Sequence, residues 1–202
     1  MLVICLEGPH GVGKSSLLKQ FAAMGFPIFD EAFLDLPHSI LHPQSLTMEL
    51  EWVSQWFQRL LRTKANADHS SVYIADRSPF SAELYAHNGD LLSPILHSMV
   101  AELERDADIK IVTVYLKVSP SILWERIQTR LALEPQRRIF NEDSYSWMEK
   151  VLQFYDSSDW SYTVANNSDL LECLHDIIST LDQHEEEFEY RILSRCLSPI
   201  AS

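Results

Sequence analysis

The stretch Gly8-Pro9-His10-Gly11-Val12-Gly13-Lys14-Ser15 fits the phosphate-binding pattern GxxxxGK[ST]. The residues before it, Leu2 to Leu6, form a short apolar run that reads as a buried strand. Those after it, Ser15 to Met24, have helical character, and Gly25 is placed to stop the helix. A strand, a glycine loop and a helix in that order make an anion cradle. Backbone N–H groups and the helix N-terminus point at phosphate, Lys14 reaches further phosphates, and the Ser15 hydroxyl, followed by Ser16, can hold Mg2+. His10 reads as contributing its backbone to the loop, not its ring.

Outward from the loop, apolar strand-like runs alternate with helical ones, which predicts an α/β protein with a mostly parallel sheet. Strands are expected at Leu2–Glu7, Pro27–Phe29, Val72–Ala75, Lys110–Leu116 and Tyr162–Ala165. Helices are expected at Thr47–Ala65, Leu92–Asp106, Glu142–Ser157 and Asp169–Glu187, and from Pro120 to about Leu133 with Ser119 as its cap. Residues 1–187 read as one domain and 188–202 as a tail.

The chain has 202 residues, 46% of them hydrophobic, enough for one domain with a full core. Its net charge of −13 argues against binding polymeric nucleic acid, whose affinity comes from many Lys and Arg contacts. A nucleotide ligand needs only a few local cations. No apolar run approaches the ~18 residues that span a membrane, and the first strand begins at residue 2, which leaves no room for a signal peptide. The three cysteines, Cys5, Cys173 and Cys196, are widely spaced, and Cys5 falls in a core strand. A reducing cytoplasmic setting is the expectation.

Asp76-Arg77-Ser78 follows the third strand directly. In an open α/β sheet the ligand lies beyond the carboxyl ends of the strands. Asp76 and Glu31 occupy two such ends and the phosphate loop a third, so the three should converge. Asp76 is placed to hold Mg2+, and Arg77 to clamp a phosphate or orient a substrate. Glu31 can accept the proton of an attacking hydroxyl. Its rival Asp30 points the other way by strand alternation. Arg126 and Arg130, four apart, share a helix face, and Arg137-Arg138 follow Pro135. Such arginines suit a closing lid over charge that moves during phosphoryl transfer, or else a salt-bridged surface with Glu125 and Glu134. Trp52, Trp56 and Phe57 on one long helix are either core or a face on which a base stacks.

Together these residues resemble the deoxynucleoside kinase and thymidylate kinase group of P-loop kinases. Leu6-Glu7-Gly8 to Ser15-Ser16 looks like their first motif, and Asp76-Arg77-Ser78 like their Glu/Asp-Arg-Ser motif. Tyr115 to Pro120, then Glu125-Arg126 and Arg130, resembles their strand, proline turn and lid helix; Tyr145 to Asp156 is similar to the helix that follows. The resemblance implies a five-stranded parallel sheet of order 2-3-1-4-5 covered by helices on both faces. It implies ATP held by Lys14 and the loop amides, Mg2+ placed by Ser15 and Asp76, a 5′-hydroxyl activated by Glu31 with support from Arg77, and Arg126 and Arg130 on the phosphates. The chain departs from the family on the acceptor side. Glu31 is followed by Ala32 in place of Pro, and the place of the base-reading glutamine holds Trp52, beside Glu51.

The expectation is therefore an ATP- and Mg2+-dependent kinase with a small-molecule acceptor, a nucleoside or nucleoside monophosphate, read by Glu31, Trp52, Trp56 and Arg77. A kinase for another small molecule, a nucleotide-binding switch or NTPase, and a binding module stay as alternatives. No Asn-Lys-x-Asp guanine-reading motif supports the switch. A homodimer is compatible with the chain, because the helix bearing Trp52 and Trp56 can face either the cleft or a partner subunit.

Overall fold

Six consecutive buried residues, Leu2–Glu7, form β1, the central strand of the sheet. A strand covered on both faces must be apolar throughout, and only Glu7 departs from that rule. The computed structural model describes residues 1–31, 40–66, 72–167 and 169–188. Around β1 the sheet runs β2 (Ile28–Phe29), β3 (Val72–Asp76), β1, β4 (Lys110–Lys117), β5 (Tyr162–Ala165), with every pair parallel. Ile4 is level with Ile74 on one side and Val112 on the other. The expected order 2-3-1-4-5 is the observed one.

Alternation along β1 sorts the helices into two layers. Leu2, Ile4 and Leu6 pack with α1 (Lys14–Ala23), α5 (Pro120–Leu133), α6 (Tyr145–Ser157) and α7 (Leu170–His184), through Phe21, Ile127, Met148 and Ile177 among others. Val3 and Cys5 face the opposite layer, α2 (Leu46–Lys64) and α4 (Ser93–Ala107), through Trp56, Phe57, Leu60 and Leu96. Each such side chain contributes about 1.5–3 kcal/mol by leaving water.

Local chemistry sets the ends. Gly25 takes φ 81° after α1, a conformation that costs a glycine little. Ser45 caps α2 by accepting from the Met48 N–H, and Asp169 caps α7 by accepting from Leu171 and Glu172. Ser119 does not cap α5 as expected: its hydroxyl lies 3.5 Å from that of Ser121, and Pro120 alone marks the start. The helix expected from Glu142 begins at Tyr145, with Ser144 as its cap. Three short elements have no counterpart in the sequence reading: α3 (Ser81–Tyr85) and 3-10 turns at Gly89–Leu91 and Pro135–Phe140. Cys5 is buried in the core as anticipated, and Cys173 is buried too. No described helix is long and apolar enough to cross a membrane. The residues behind the departure after Glu31, numbers 32–39, and the tail from 189 lie outside the described residues.

Candidate active site

The loop between β1 and α1 passes through three glycines with positive φ: Gly8 at 140°, Gly11 at 82° and Gly13 at 107°. A Cβ at Gly11 would stand 3.0 Å from the Ile127 side chain of α5, so the loop backbone and α5 touch there. The loop is held from outside by α5 and the end of β5. Arg126 donates to the Val12 carbonyl at 3.3 Å and to the Asn166 carbonyl at 3.1 Å, and the Asn166 amide also donates to Val12. Arg126 thus supports the loop, a role its place on the expected lid did not reveal. The Lys14 ammonium turns back onto the carbonyls of Gly8 (2.9 Å) and Pro9 (3.2 Å). Burial, aided by repulsion from Arg77, pulls its pKa down to about 8.

Asp76 ends β3 beside the loop, with Oδ2 3.4 Å from the Ser15 hydroxyl. Its other oxygen, Oδ1, is buried without a hydrogen-bond partner. Burial raises the Asp76 pKa and Lys14 draws it back. An orphaned carboxylate oxygen beside a serine hydroxyl suits a hard cation. Among the described residues, no group of three or more His, Cys, Asp or Glu is arranged to hold a metal. A cation here would therefore depend on Ser15, Asp76 and the phosphates of a ligand, as Mg2+ sites commonly do.

Arg77 sits at φ 67°, its N–H on the Leu6 carbonyl. Its buried guanidinium lies 2.6 Å from Glu31, 2.8 Å from the Tyr155 hydroxyl and 4.7 Å from the centre of the Tyr85 ring. Beneath it, Glu7 is fully buried and accepts from the Ser78 N–H (2.6 Å), the Ser81 hydroxyl (2.8 Å) and Tyr155 (3.3 Å). Burial raises the Glu7 pKa, and Arg77 and the two serines pull it back. The turn after β3 is thus anchored by an acid of β1. Glu7, Tyr85 and Tyr155 were not among the expected site residues. Only Glu7 carried a signal, as the lone charge in an apolar strand.

Two cavities meet here. One, of about 330 Å³, is lined by Lys14, Ser15, Ser16, Asp76, Arg126 and Arg130. The other, of about 240 Å³, is lined by Gln44, Met48, Glu49, Trp52, Tyr85 and Phe140 among others. Glu31, Arg77, His10 and Arg137 line both. Among the described residues Arg130 is tied to Glu134, at 3.5 Å. Asp30 faces Arg59 outside the cavities, at 3.4 Å, as strand alternation predicts.

Two expectations need correction. The His10 ring is not idle. It packs against Tyr85 (centroids 5.0 Å apart) and Phe140 (6.4 Å), with Nδ1 3.2 Å from Glu142 and 3.5 Å from Arg77. Burial, with Arg77 and Lys14 nearby, holds its pKa far below the usual range, so the ring is neutral near pH 7. Trp56 does not reach the cavity. It is buried in the α2–α4 core, edge-on to Phe57 at 5.4 Å, whereas Trp52, one turn earlier, lines the cavity. Of the paired arginines, Arg137 lines the cavities and bonds Glu142 (3.1 Å), and Arg138 is exposed and faces Asp143 (3.6 Å). Glu51, the acid beside Trp52 in sequence, accepts from Gln55 on the surface; Glu49, one turn before Trp52, lines the cavity together with Glu31.

A family model described as an AAA domain matches residues 4–146. Among solved structures, a deoxyadenosine kinase from M. mycoides with bound dATP is similar, with a TM-score of 0.61 and 17% identity over 89% of this chain and 98% of that one. A gluconokinase from Sinorhizobium meliloti is similar to the same degree, with a TM-score of 0.58 and 17% identity over 94% and 96%. No curated protein sequence matches the chain. At these identities the structures share the fold, and that fold carries kinases for both nucleoside and non-nucleoside acceptors.

Proposed function

We propose that this chain, which belongs to the AAA domain family, transfers the γ-phosphoryl group of ATP to a small acceptor, a nucleoside or nucleoside monophosphate. The observation that carries this reading is the meeting of the two cavities at Glu31 and Arg77. One is a cationic pocket around a phosphate loop; the other is aromatic and of a size for one ring and its sugar. Phosphoryl transfer asks for that arrangement: positioning, charge stabilisation and little covalent chemistry from the protein. A hydrolase would need no second, apolar cavity beside its phosphate site.

In this reading the loop amides, Lys14 and the N-terminus of α1 bind the donor's phosphates. Lys14 leaves the carbonyls of Gly8 and Pro9 when phosphate oxygens replace them. Ser15 and Asp76 would hold Mg2+, which supplies charge neutralisation at those phosphates. Trp52 and Tyr85 flank the acceptor, and Arg77 fixes Glu31 at the junction. Glu31 takes the proton of the acceptor hydroxyl as its oxygen bonds the γ-phosphorus; the bond to the β-phosphate bridge breaks and ADP leaves. Arg130 stabilises charge on the moving oxygens, with Arg126 keeping the loop in place. The domain limit at 187 and a cytoplasmic setting belong to the same proposal.

ADP release, measured with pools of nucleosides, nucleoside monophosphates and sugars, tests it. The expected result is release that depends on one pool and on Mg2+, with Asp76→Asn raising the Mg2+ needed. Release indifferent to every pool would make the chain an NTPase.

A further inference from the structure

Glu49 stands apart in the acceptor cavity. It lies on α2 one turn before Trp52 and lines the space with Met48, Trp52, Tyr85 and Phe140. No hydrogen bond or ion pair engages its carboxyl among the described residues. The cations that share the cavity are committed elsewhere: Arg77 to Glu31 at 2.6 Å, and Arg137 to Glu142 at 3.1 Å and Glu134 at 3.6 Å. His10 is neutral. A ligand entering this space therefore meets one acid at the junction, Glu31, and a second within the cavity, Glu49, with no spare positive charge among the described residues.

We propose that Glu49 makes the cavity selective for uncharged acceptors that present an N–H donor to its carboxyl, so that the acceptor is a nucleoside and not a nucleoside monophosphate or a sugar acid. This rests on the phosphoryl-transfer reading above and narrows its acceptor. An anionic group would face Glu31 at the junction, and farther in it would lose its hydration beside the Glu49 carboxyl with no uncommitted cation among the described residues to compensate it. A flat ring between aromatic side chains, with an N–H on a carboxyl oxygen, gives the Glu49 carboxyl the partner it lacks. At about 240 Å³ the cavity lies just below the ~300–1,000 Å³ usual for ligand sites, enough for one base and its sugar.

The electrostatics agree. Burial first, opposed by Arg77 and reinforced by Glu31, pushes the Glu49 pKa up to about 8. Near pH 7 its carboxyl is thus largely protonated, offering a carbonyl to an N–H and an O–H to a neighbouring acceptor atom. The groups facing it are Arg77, Glu31, His10, Tyr85 and Arg137. Burial pushes Tyr85 up to about 12, so its hydroxyl adds no charge in the physiological range.

Calorimetric binding to the full chain, with a non-hydrolysable ATP analogue present, tests this without requiring turnover. The probes are adenosine, cytidine and uridine, their 5′-monophosphates, gluconate and a cationic amino alcohol. The wild type should bind one or more nucleosides at least about ten-fold more tightly than the matching monophosphate and than gluconate. Glu49→Leu should lose about ten-fold in nucleoside affinity with ATP-analogue affinity unmoved and the melting temperature not lowered, and Glu49→Gln should keep most of it through its amide carbonyl. Tighter binding of a monophosphate, of gluconate or of the cation, binding of no probe, or an unchanged Glu49→Leu would overturn the assignment. Selective nucleoside binding without label transfer would instead count against phosphoryl transfer and leave Glu49 as the selector.

Discussion

The Nε of Arg77 lies 2.6 Å from Oε1 of Glu31, and the same guanidinium donates to the Tyr155 hydroxyl at 2.8 Å and the Gly8 carbonyl at 3.2 Å. One arginine thereby ties together the end of β2, the phosphate loop and α6. Glu31 is 46% exposed by its side chain, so without Arg77 it would have little to hold it at the junction.

If Glu31 is the general base, Glu31→Gln should lower kcat by about 10²–10⁴-fold, the usual worth of a positioned base, and leave ATP affinity nearly unchanged. Asp30→Asn should have a small effect, since Asp30 faces Arg59 on the surface. Steady-state kinetics of both variants decide it: a live Glu31→Gln and a dead Asp30→Asn would reverse the assignment.

The two lid arginines should separate. Arg126 holds the carbonyls of Val12 and Asn166, so Arg126→Ala should weaken ATP binding and cost about 1–3 kcal/mol of stability. Arg130, tied to Glu134 among the described residues, should affect kcat and leave the melting temperature in place. Equal effects of the two on stability would contradict the structural difference between them.

Trp52 and Trp56 should separate as well. Trp52→Leu should weaken acceptor binding by about 1–3 kcal/mol, the range for stacking on a base. Trp56→Leu should leave acceptor binding intact and cost roughly 1–3 kcal/mol of stability by loosening the α2–α4 core. Quenching of tryptophan fluorescence by the acceptor should persist in Trp56→Leu and vanish in Trp52→Leu. The reverse pattern would put Trp56 at the ligand.

That the loop and Asp76 come together is legible in the sequence because the parts are local. The loop, its lysine and serine, and the acid ending β3 each follow from a strand's end or a short motif. The acceptor side is assembled from distant pieces: α2, α3 and the turn at Pro135–Phe140. The i, i+3 spacing of Glu49 and Trp52 shows that they share a helix face, but not that this face meets a cavity. Trp56 shares nearly the same face and lies in the core. The role of the His10 ring is hidden in the sequence because a glycine loop's signature concerns its backbone, whereas the ring's partners, Tyr85 and Phe140, are far along the chain. Arg126 shows the same limit, since its role as a loop support depends on Asn166 at the end of β5.

Glu49 predicts a pH dependence of stability. Its folded pKa of about 8 lies above the ordinary 4.5, so between those values the folded state holds more protons than the unfolded one. Stability should therefore fall as pH rises through that window, by less than about 1.4 kcal/mol per pH unit because water still screens this partly buried group. Glu49→Gln should remove that slope. Denaturant midpoints of the two proteins at pH 5 and pH 8 that run parallel would show that Glu49 titrates normally.

In the proposed function the loop at Gly8–Ser15 delivers phosphoryl to an acceptor and not to water. A single turnover of ATP radiolabelled on its γ-phosphate, with enzyme in excess and the best acceptor present, measures this directly. Label is expected on the acceptor in preference to inorganic phosphate, at a rate that rises with acceptor concentration, with that transfer lost by orders of magnitude in a folded Lys14→Ala protein. Label appearing only as inorganic phosphate at a rate no acceptor changes, or wild-type transfer by Lys14→Ala, would contradict it.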